Sequence, residues 1–346
     1  MKSFLFFLFL WVGCIVYGQT TYKIEGFSSQ YRAELHIEKG YEDQVFKKGR
    51  LLVFDGQTQE LLIELPSEEF TVHLKSTGTV KTNIIEWPYG EQSVLFYEDL
   101  NFDGRKDLAL MDGQHSCYHG PSFQVYLVSD QGLRHNKAFS RLAQEYCGMF
   151  QIDHENKSIY TTTKNGCCWH QFSTFKVVDN TPVPVSVVEE DAMHFPFLTT
   201  TLTEWPNGKK QTSIYKTIDL QQEDVQSRLS FTLAKSGKEL LLYTLEDEVL
   251  YYLLLQPNGA IEFAYPAAGS EAEIDFMWNT QGNSLGFTNQ GAHYEIYETR
   301  KGYRLHKIGV RVRVNGKRYH LKGDVKTVKG SLEALRQLNL SNVGKE

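Results

Sequence analysis

Ser93-Val94-Leu95-Phe96-Tyr97, then Asp99-Leu100-Asn101-Phe102-Asp103-Gly104-Arg105-Lys106-Asp107, then Leu108-Ala109-Leu110-Met111 is the stretch on which the reading of this chain turns. Oxygen-bearing side chains fall at alternate positions around one glycine, between two short apolar runs of strand type. Calcium takes six to eight oxygen ligands at roughly 2.3–2.6 Å, and side chains at loop positions one, three and five converge on it when the chain turns sharply at position six. The spacing therefore predicts Ca2+ held by Asp99, Asn101, Asp103, the carbonyl of Arg105 and Asp107. A helix-loop-helix site is excluded, because its twelfth position needs a bidentate Glu and Leu110 stands there. The competing reading is a metal-free Asp/Asn/Gly turn joining two strands.

Outward from this loop the chain reads as strands. Arg32 to Glu38 alternates apolar and polar residues. Leu51 to Phe54 is followed by Asp55-Gly56 and then Leu61 to Leu65, a hairpin signal, and Val310 to Val314 meets Lys317 to Leu321 across Asn315-Gly316, a two-residue hairpin. Helical patterns are few: Lys137 to Tyr146, and Ser331 to Leu338 with Ser331 as N-cap. Aromatic residues make up 13% of the 346 residues, which favours β structure over helix. This length exceeds what one core usually serves, so two domains are expected. The fold expected is mainly β: a propeller-like or sandwich-like domain over residues 19–195 with the calcium loop, then a second β domain over 196–346 with a short terminal helix. Glu86-Trp87-Pro88 and Glu204-Trp205-Pro206 echo each other without establishing a repeat.

Residues 1–18 carry the order of a secretory signal, with Lys2, an apolar run from Phe4 to Val16 and a small-residue site at Gly18. Soluble export is the expectation. Cys14 marks the lipoprotein alternative, and no integral membrane segment is expected once the signal is cleaved. Four cysteines then remain, Cys117, Cys147, Cys167 and Cys168, an even number that suits two disulfides in an oxidising compartment. A bond between the neighbours Cys167 and Cys168 is expected to strain the peptide between them. This leaves two schemes in which each of them meets Cys117 or Cys147. A catalytic thiol with His170, or zinc on Cys167, Cys168 and His170, fits less well, since strand neighbours point to opposite faces.

A net charge of -6 supplies no basic field for nucleic acid or for an anionic membrane surface, and the alternating Arg311 and Arg313 read as a solvated strand face. No enzyme signature emerges. Glu189, Glu190 and Asp191 are adjacent rather than opposed, and no serine elbow, His-Glu-x-x-His or phosphate loop is present. The loop from Gly113 to Ser122, which follows the cation loop and carries His115, Tyr118 and His119 around Cys117, is the candidate partner-binding element.

Three separated stretches, Asp99 to Leu110, Gly120-Pro121-Ser122 to Leu127, and Asn165-Gly166-Cys167-Cys168-Trp169-His170 with Pro182 and Pro184 beyond, together resemble a family of exported bacterial β proteins. That family includes periplasmic immunity proteins against a lysozyme-like effector of type IV secretion systems. The resemblance covers roughly residues 45–190. It implies a β-propeller-like domain with bound calcium on the five ligands named above, and a lysozyme-like cell-wall hydrolase as the protein partner to be inhibited. No inhibitory residue carries over position by position. Residues 200–346 look like a domain common in secreted Gram-negative proteins of uncharacterised role. An envelope assembly role and, further off, a glycan-directed hydrolase are the alternatives.

Overall fold

The computed structural model describes residues 19–74, 78–84, 92–266, 274–279 and 283–345. The expected signal sequence and the first Glu-Trp-Pro phrase lie outside them. The chain is mainly β and divides into two compact units. One takes Met1–Asn165, His170–Val187 and Glu204–Lys209; the other takes Gly166–Trp169, Val188–Thr203 and Lys210–Glu346. Among the described residues no helix is long and apolar enough to cross a membrane.

The first unit opens with β1 (Gln19–Glu25), β2 (Tyr31–Glu38), β3 (Lys47–Asp55), β4 (Leu61–Phe70) and β5 (Thr79–Lys81), in the order β4-β3-β2-β1-β5. Pairing is antiparallel except between β1 and β5. The alternation in β2 buries Ala33, Leu35 and Ile37, and the β3–β4 hairpin sets Leu51 opposite Leu65 and Val53 opposite Ile63. A second antiparallel sheet comprises β6 (Leu95–Glu98), β7 (Asp107–Ser116), β8 (Gly120–Ser129) and β9 (Gly132–His135). The helix α1 (Lys137–Leu142) is capped by Asn136, whose side chain accepts from Ala138 N and Phe139 N. It stops short of Tyr146 because the following chain is drawn onto strands, with Cys147 N donating to Thr162 O at 2.8 Å. β10 (Gln151–Asp153), β11 (Ser158–Asn165), β12 (Trp169–Val178) and β13 (Thr181–Asp191) then run side by side. Leu35, Leu51, Phe70, Leu95, Leu108, Phe123 and Phe139 form one buried cluster.

The second unit holds β14 (Phe197–Glu204), β15 (Gln211–Ile218), β16 (Val225–Thr232), β17 (Glu239–Leu245), β18 (Val249–Leu255) and β19 (Ile261–Tyr265). It continues with β20 (Phe276–Asn279), β21 (Ser284–Asn289), β22 (Ala292–Lys301), β23 (Arg304–Val314), β24 (Lys317–Lys322), β25 (Lys329–Gly330), α2 (Leu332–Arg336) and β26 (Val343–Lys345). Two of its sheets run β19-β18-β17-β16-β25 and β24-β23-β22-β21-β20-β26. Asn315 and Gly316 both adopt positive φ, 48° and 73°, as a two-residue hairpin turn requires. Ser331 caps α2, accepting from Ala334 N at 3.1 Å. Asn342, 5% exposed, bonds both backbone groups of Leu250 and the carboxylate of Asp275. Core aromatics stack, with Phe287 at 4.3 Å from Tyr265 and 4.7 Å from Tyr294.

Candidate functional site

The loop between β6 and β7 is held by its own carboxylates. Asp99 accepts from Asp103 N at 3.1 Å and Gly104 N at 2.9 Å; Asp103 accepts from Arg105 N at 2.8 Å. Gly104 has φ +89°, the left-handed region that a side chain rarely adopts, and this turn folds the loop back on Asp99. Asn101 is 7% exposed, and its amide donates to Asp103 at 3.2 Å and to Asn180 Oδ1 at 2.9 Å. The guanidinium of Arg105 pairs with Asp130 at 2.8 Å.

Asp107 is fully buried as the first residue of β7, and its two oxygens accept from Leu100 N at 3.0 Å and Val128 N at 2.8 Å. Burial pushes its carboxyl up to about 6; the two amides oppose this shift, and the charges of Asp103 and Asp99 add to it. Among the described residues no basic side chain pairs with Asp99, Asp103 or Asp107. The donors are all oxygens, mostly anionic and partly desolvated, which is the chemistry a hard divalent cation takes. Among the described residues no three His, Cys, Asp or Glu side chains form a metal-holding group, Asp99, Asp103 and Asp107 included.

The disulfides correct the expected pairing. Cys117 bonds Cys147, and Cys167 bonds its neighbour Cys168. A bond between these neighbours was expected to strain the peptide joining them, and both were expected on a strand. They lie instead in the turn before β12, after Gly166 at φ +67°, where strand alternation does not apply and both sulfurs reach one side. His170 is the second residue of β12, beyond this turn. Glu189, Glu190 and Asp191 end β13, where neighbours alternate between faces.

The Cys117–Cys147 bond pins the connection from β7 to β8. Gly148 N donates to Ser116 Oγ at 3.2 Å and Cys117 N to Tyr146 O at 3.4 Å. Between these anchors Tyr118 and His119 both stand in the left-handed region, at φ 54° and 57°, conformations that cost a non-glycine residue roughly 1–2 kcal/mol each. Tyr118 is 59% exposed with Lys164 Nζ 4.9 Å from its ring centre, and His119 lies 3.4 Å from Glu69 and edge-on to Phe46. A cleft of about 1130 Å³ opens beside this tip, lined among others by Tyr118, His119, Gln114, Tyr146, Thr161 and Lys164. Thr161 is 5% exposed, and its hydroxyl has no hydrogen-bond partner among the described residues. His115 is exposed and is not part of that lining; its ring lies over Gly113, where a Cβ would fall 2.7 Å from Nε2.

Sequence reasoning therefore placed Tyr118 and His119 together but missed the cleft, whose walls come from the segment after β4, from β7 and β11, and from the segment after α1. It also missed Asn180, which reaches Asn101 across 79 positions of sequence. Asp179-Asn180, at φ 48° and 57°, was the available turn signal.

The chain matches no protein-family model, and no curated protein matches it. Among solved structures it is similar to a Xanthomonas Type IV Secretion System related protein at 18% identity and a TM-score of 0.43, over 56% of this chain and 92% of that one. It is also similar to TolB from Acinetobacter baumannii at 10% identity and a TM-score of 0.16, over 87% of this chain and 82% of that one. Likenesses of this degree say nothing of activity.

Proposed function

We propose that this chain is an exported, non-catalytic binding module whose recognition element is the Tyr118-His119 tip, and that its partner is a cell-wall hydrolase whose cleft receives the tip. One observation carries the reading. Two consecutive non-glycine residues are held in left-handed backbone between a disulfide and two strand ends, with the Tyr118 ring outward. Such strain persists only where the surroundings enforce it, and an ordered aromatic loses little freedom on binding. Export is supported by the bonding of all four cysteines beyond residue 18, as an oxidising compartment permits. In this reading Ca2+ on Asp99, Asn101, Asp103, the Arg105 carbonyl and Asp107 is structural; it neutralises carboxylates that pair with no basic side chain among the described residues.

The test is turbidity clearing of peptidoglycan by lysozyme-type enzymes, with calcium present throughout. Inhibition is expected, weakened at least tenfold in Tyr118→Ala, since a buried aromatic anchor contributes roughly 2–4 kcal/mol. No inhibition at micromolar protein, with Tyr118→Ala indistinguishable from the parent, refutes it. The unpartnered Thr161 hydroxyl favours a second reading, in which the cleft itself takes a small polar ligand. Glycan fragments that protect Tyr146 and Lys164 from chemical labelling would establish that alternative.

A further inference from the structure

We propose that the outer face of β22, β23 and β24 is a docking surface for the anionic headgroups of a membrane leaflet. Charge is sharply segregated along the chain. Residues 300–329 hold 11 Lys and Arg against a single acid, Asp324, whereas the rest of the chain holds 25 Lys and Arg against 41 Asp and Glu. A net charge of -6 conceals this.

Register assembles these cations on one face. His293, Arg313 and Arg318 stand side by side across the three strands; Glu295, Arg311 and His320 form the next row, and Tyr297, Gly309 and Lys322 the one after. Lys307 extends the face opposite Thr299. The alternate residues Ile296, Ile308 and Val310 are buried in the core, so this face points outward. Its one acid, Glu295, is occupied by Arg311 at 3.1 Å and Ser284 at 2.7 Å. Among the described residues Arg313, Arg318, Lys322 and Lys307 have no acidic partner. Arg313 stands directly opposite Arg318, a like-charge pair that destabilises a sheet. The surrounding field is visible in His306, held below the ordinary histidine range first by Lys301, and in His320, held down by burial and then by Lys322, Arg311 and Lys307.

Protection of a free sheet edge explains lysines on β24, but not Arg311, Arg313 and Lys307 on the interior strand β23. A sheet face carrying unpaired cations suits a planar array of anions. At the β22–β23 turn Tyr303 is fully exposed between Lys301 and Arg304, the arrangement an amphipathic ring takes at a headgroup boundary. Nucleic acid is the poorer partner. The one aromatic on the face, Tyr297, is 3% exposed beneath the Arg311 guanidinium and offers no ring for base stacking.

The experiment is co-flotation of the purified chain with vesicles of phosphatidylcholine alone or with about 40% phosphatidylglycerol, at about 0.05 M and about 0.5 M NaCl. Binding to the anionic vesicles only, lost at the higher salt, is expected. Each basic residue near such a surface contributes about fivefold, so Arg313→Glu/Arg318→Glu/Lys322→Glu should weaken partitioning by about a hundredfold or more. Tyr303→Ala should weaken it severalfold. Equal binding to both vesicles, no binding at low salt, or an unchanged triple variant overturns the proposal. So does capture of duplex DNA without capture of vesicles. If the triple variant does not fold, the lipid and salt dependence of the parent chain decides. None of these arms involves Tyr118 or a hydrolase, so failure here leaves the proposed function standing.

Discussion

Asp103→Ala separates a cation site from a metal-free turn, because the structure gives Asp103 little to do unless a cation is present. Its side chain is exposed and, among the described residues, accepts only from Arg105 N at 2.8 Å and Asn101 Nδ2 at 3.2 Å. Both donors can turn to water, so without calcium the substitution should cost about 1 kcal/mol. With calcium at a hundredfold excess over its dissociation constant, the parent gains about 2.7 kcal/mol from binding to the native state alone. For a unit of this size that is a rise in melting temperature of about 5–11 °C. The assay is thermal unfolding followed by near-ultraviolet circular dichroism, in millimolar calcium and in EDTA. The parent should show the full rise, and Asp103→Ala should melt at one temperature in both. Asp107→Ala should behave differently. It leaves the amides of Leu100 and Val128 buried and unpaired and should cost about 2–6 kcal/mol in EDTA, with the calcium increment lost as well. A parent melting curve indifferent to EDTA, or an Asp103→Ala variant that keeps the calcium increment, refutes the reasoning.

Four further outcomes follow from the packing. Cys117→Ser/Cys147→Ser opens a loop of 30 residues and should lower stability by about 3.6 kcal/mol in urea unfolding; a loss below about 1 kcal/mol would show that the tip is ordered without the bond. Gly104→Ala meets no atom within 4 Å, so its cost is backbone strain alone, about 1 kcal/mol by the same unfolding assay, and no measurable cost would contradict the left-handed turn. Asn342→Ala strands the backbone groups of Leu250 in the core of the second unit, and calorimetry should show a loss of about 2–4 kcal/mol. Ser331→Ala removes the cap of α2 and should cost about 1 kcal/mol; an unchanged melting temperature would mean the Ala334 amide finds water instead.

What could be read from sequence here is what neighbours in sequence decide. The Asn315-Gly316 hairpin, the alternation of β2 and the capping of α2 by Ser331 each rest on contacts spanning a few residues, and each takes the expected form. The cysteine pairing was misread because strain in the peptide between Cys167 and Cys168 was taken to forbid their bond, whereas the two stand in a turn that brings their sulfurs together. The extent of the basic face was not legible for a related reason: Arg311 and Arg313 are alternate residues of one strand, and Arg318 and Lys322 join them only through pairing with the next strand.

Asp107 shows the limit most clearly. Spacing alone makes it the ninth position of a cation loop, an outlying ligand. The structure makes it the first residue of β7, buried, with one oxygen on the loop through Leu100 and the other on β8 through Val128. Burial disfavours its charge, while both amides favour it. A divalent cation among Asp99, Asp103 and Asp107 would shift that balance to the charged form and strengthen both hydrogen bonds together. Its effect would then reach β7 and β8, the strands whose far ends carry Cys117 and Gly120 on either side of Tyr118. On this argument calcium and the disulfide hold the two ends of one hairpin. Removing the cation should therefore raise hydrogen exchange at Leu100 and Val128 before it does so at Cys117.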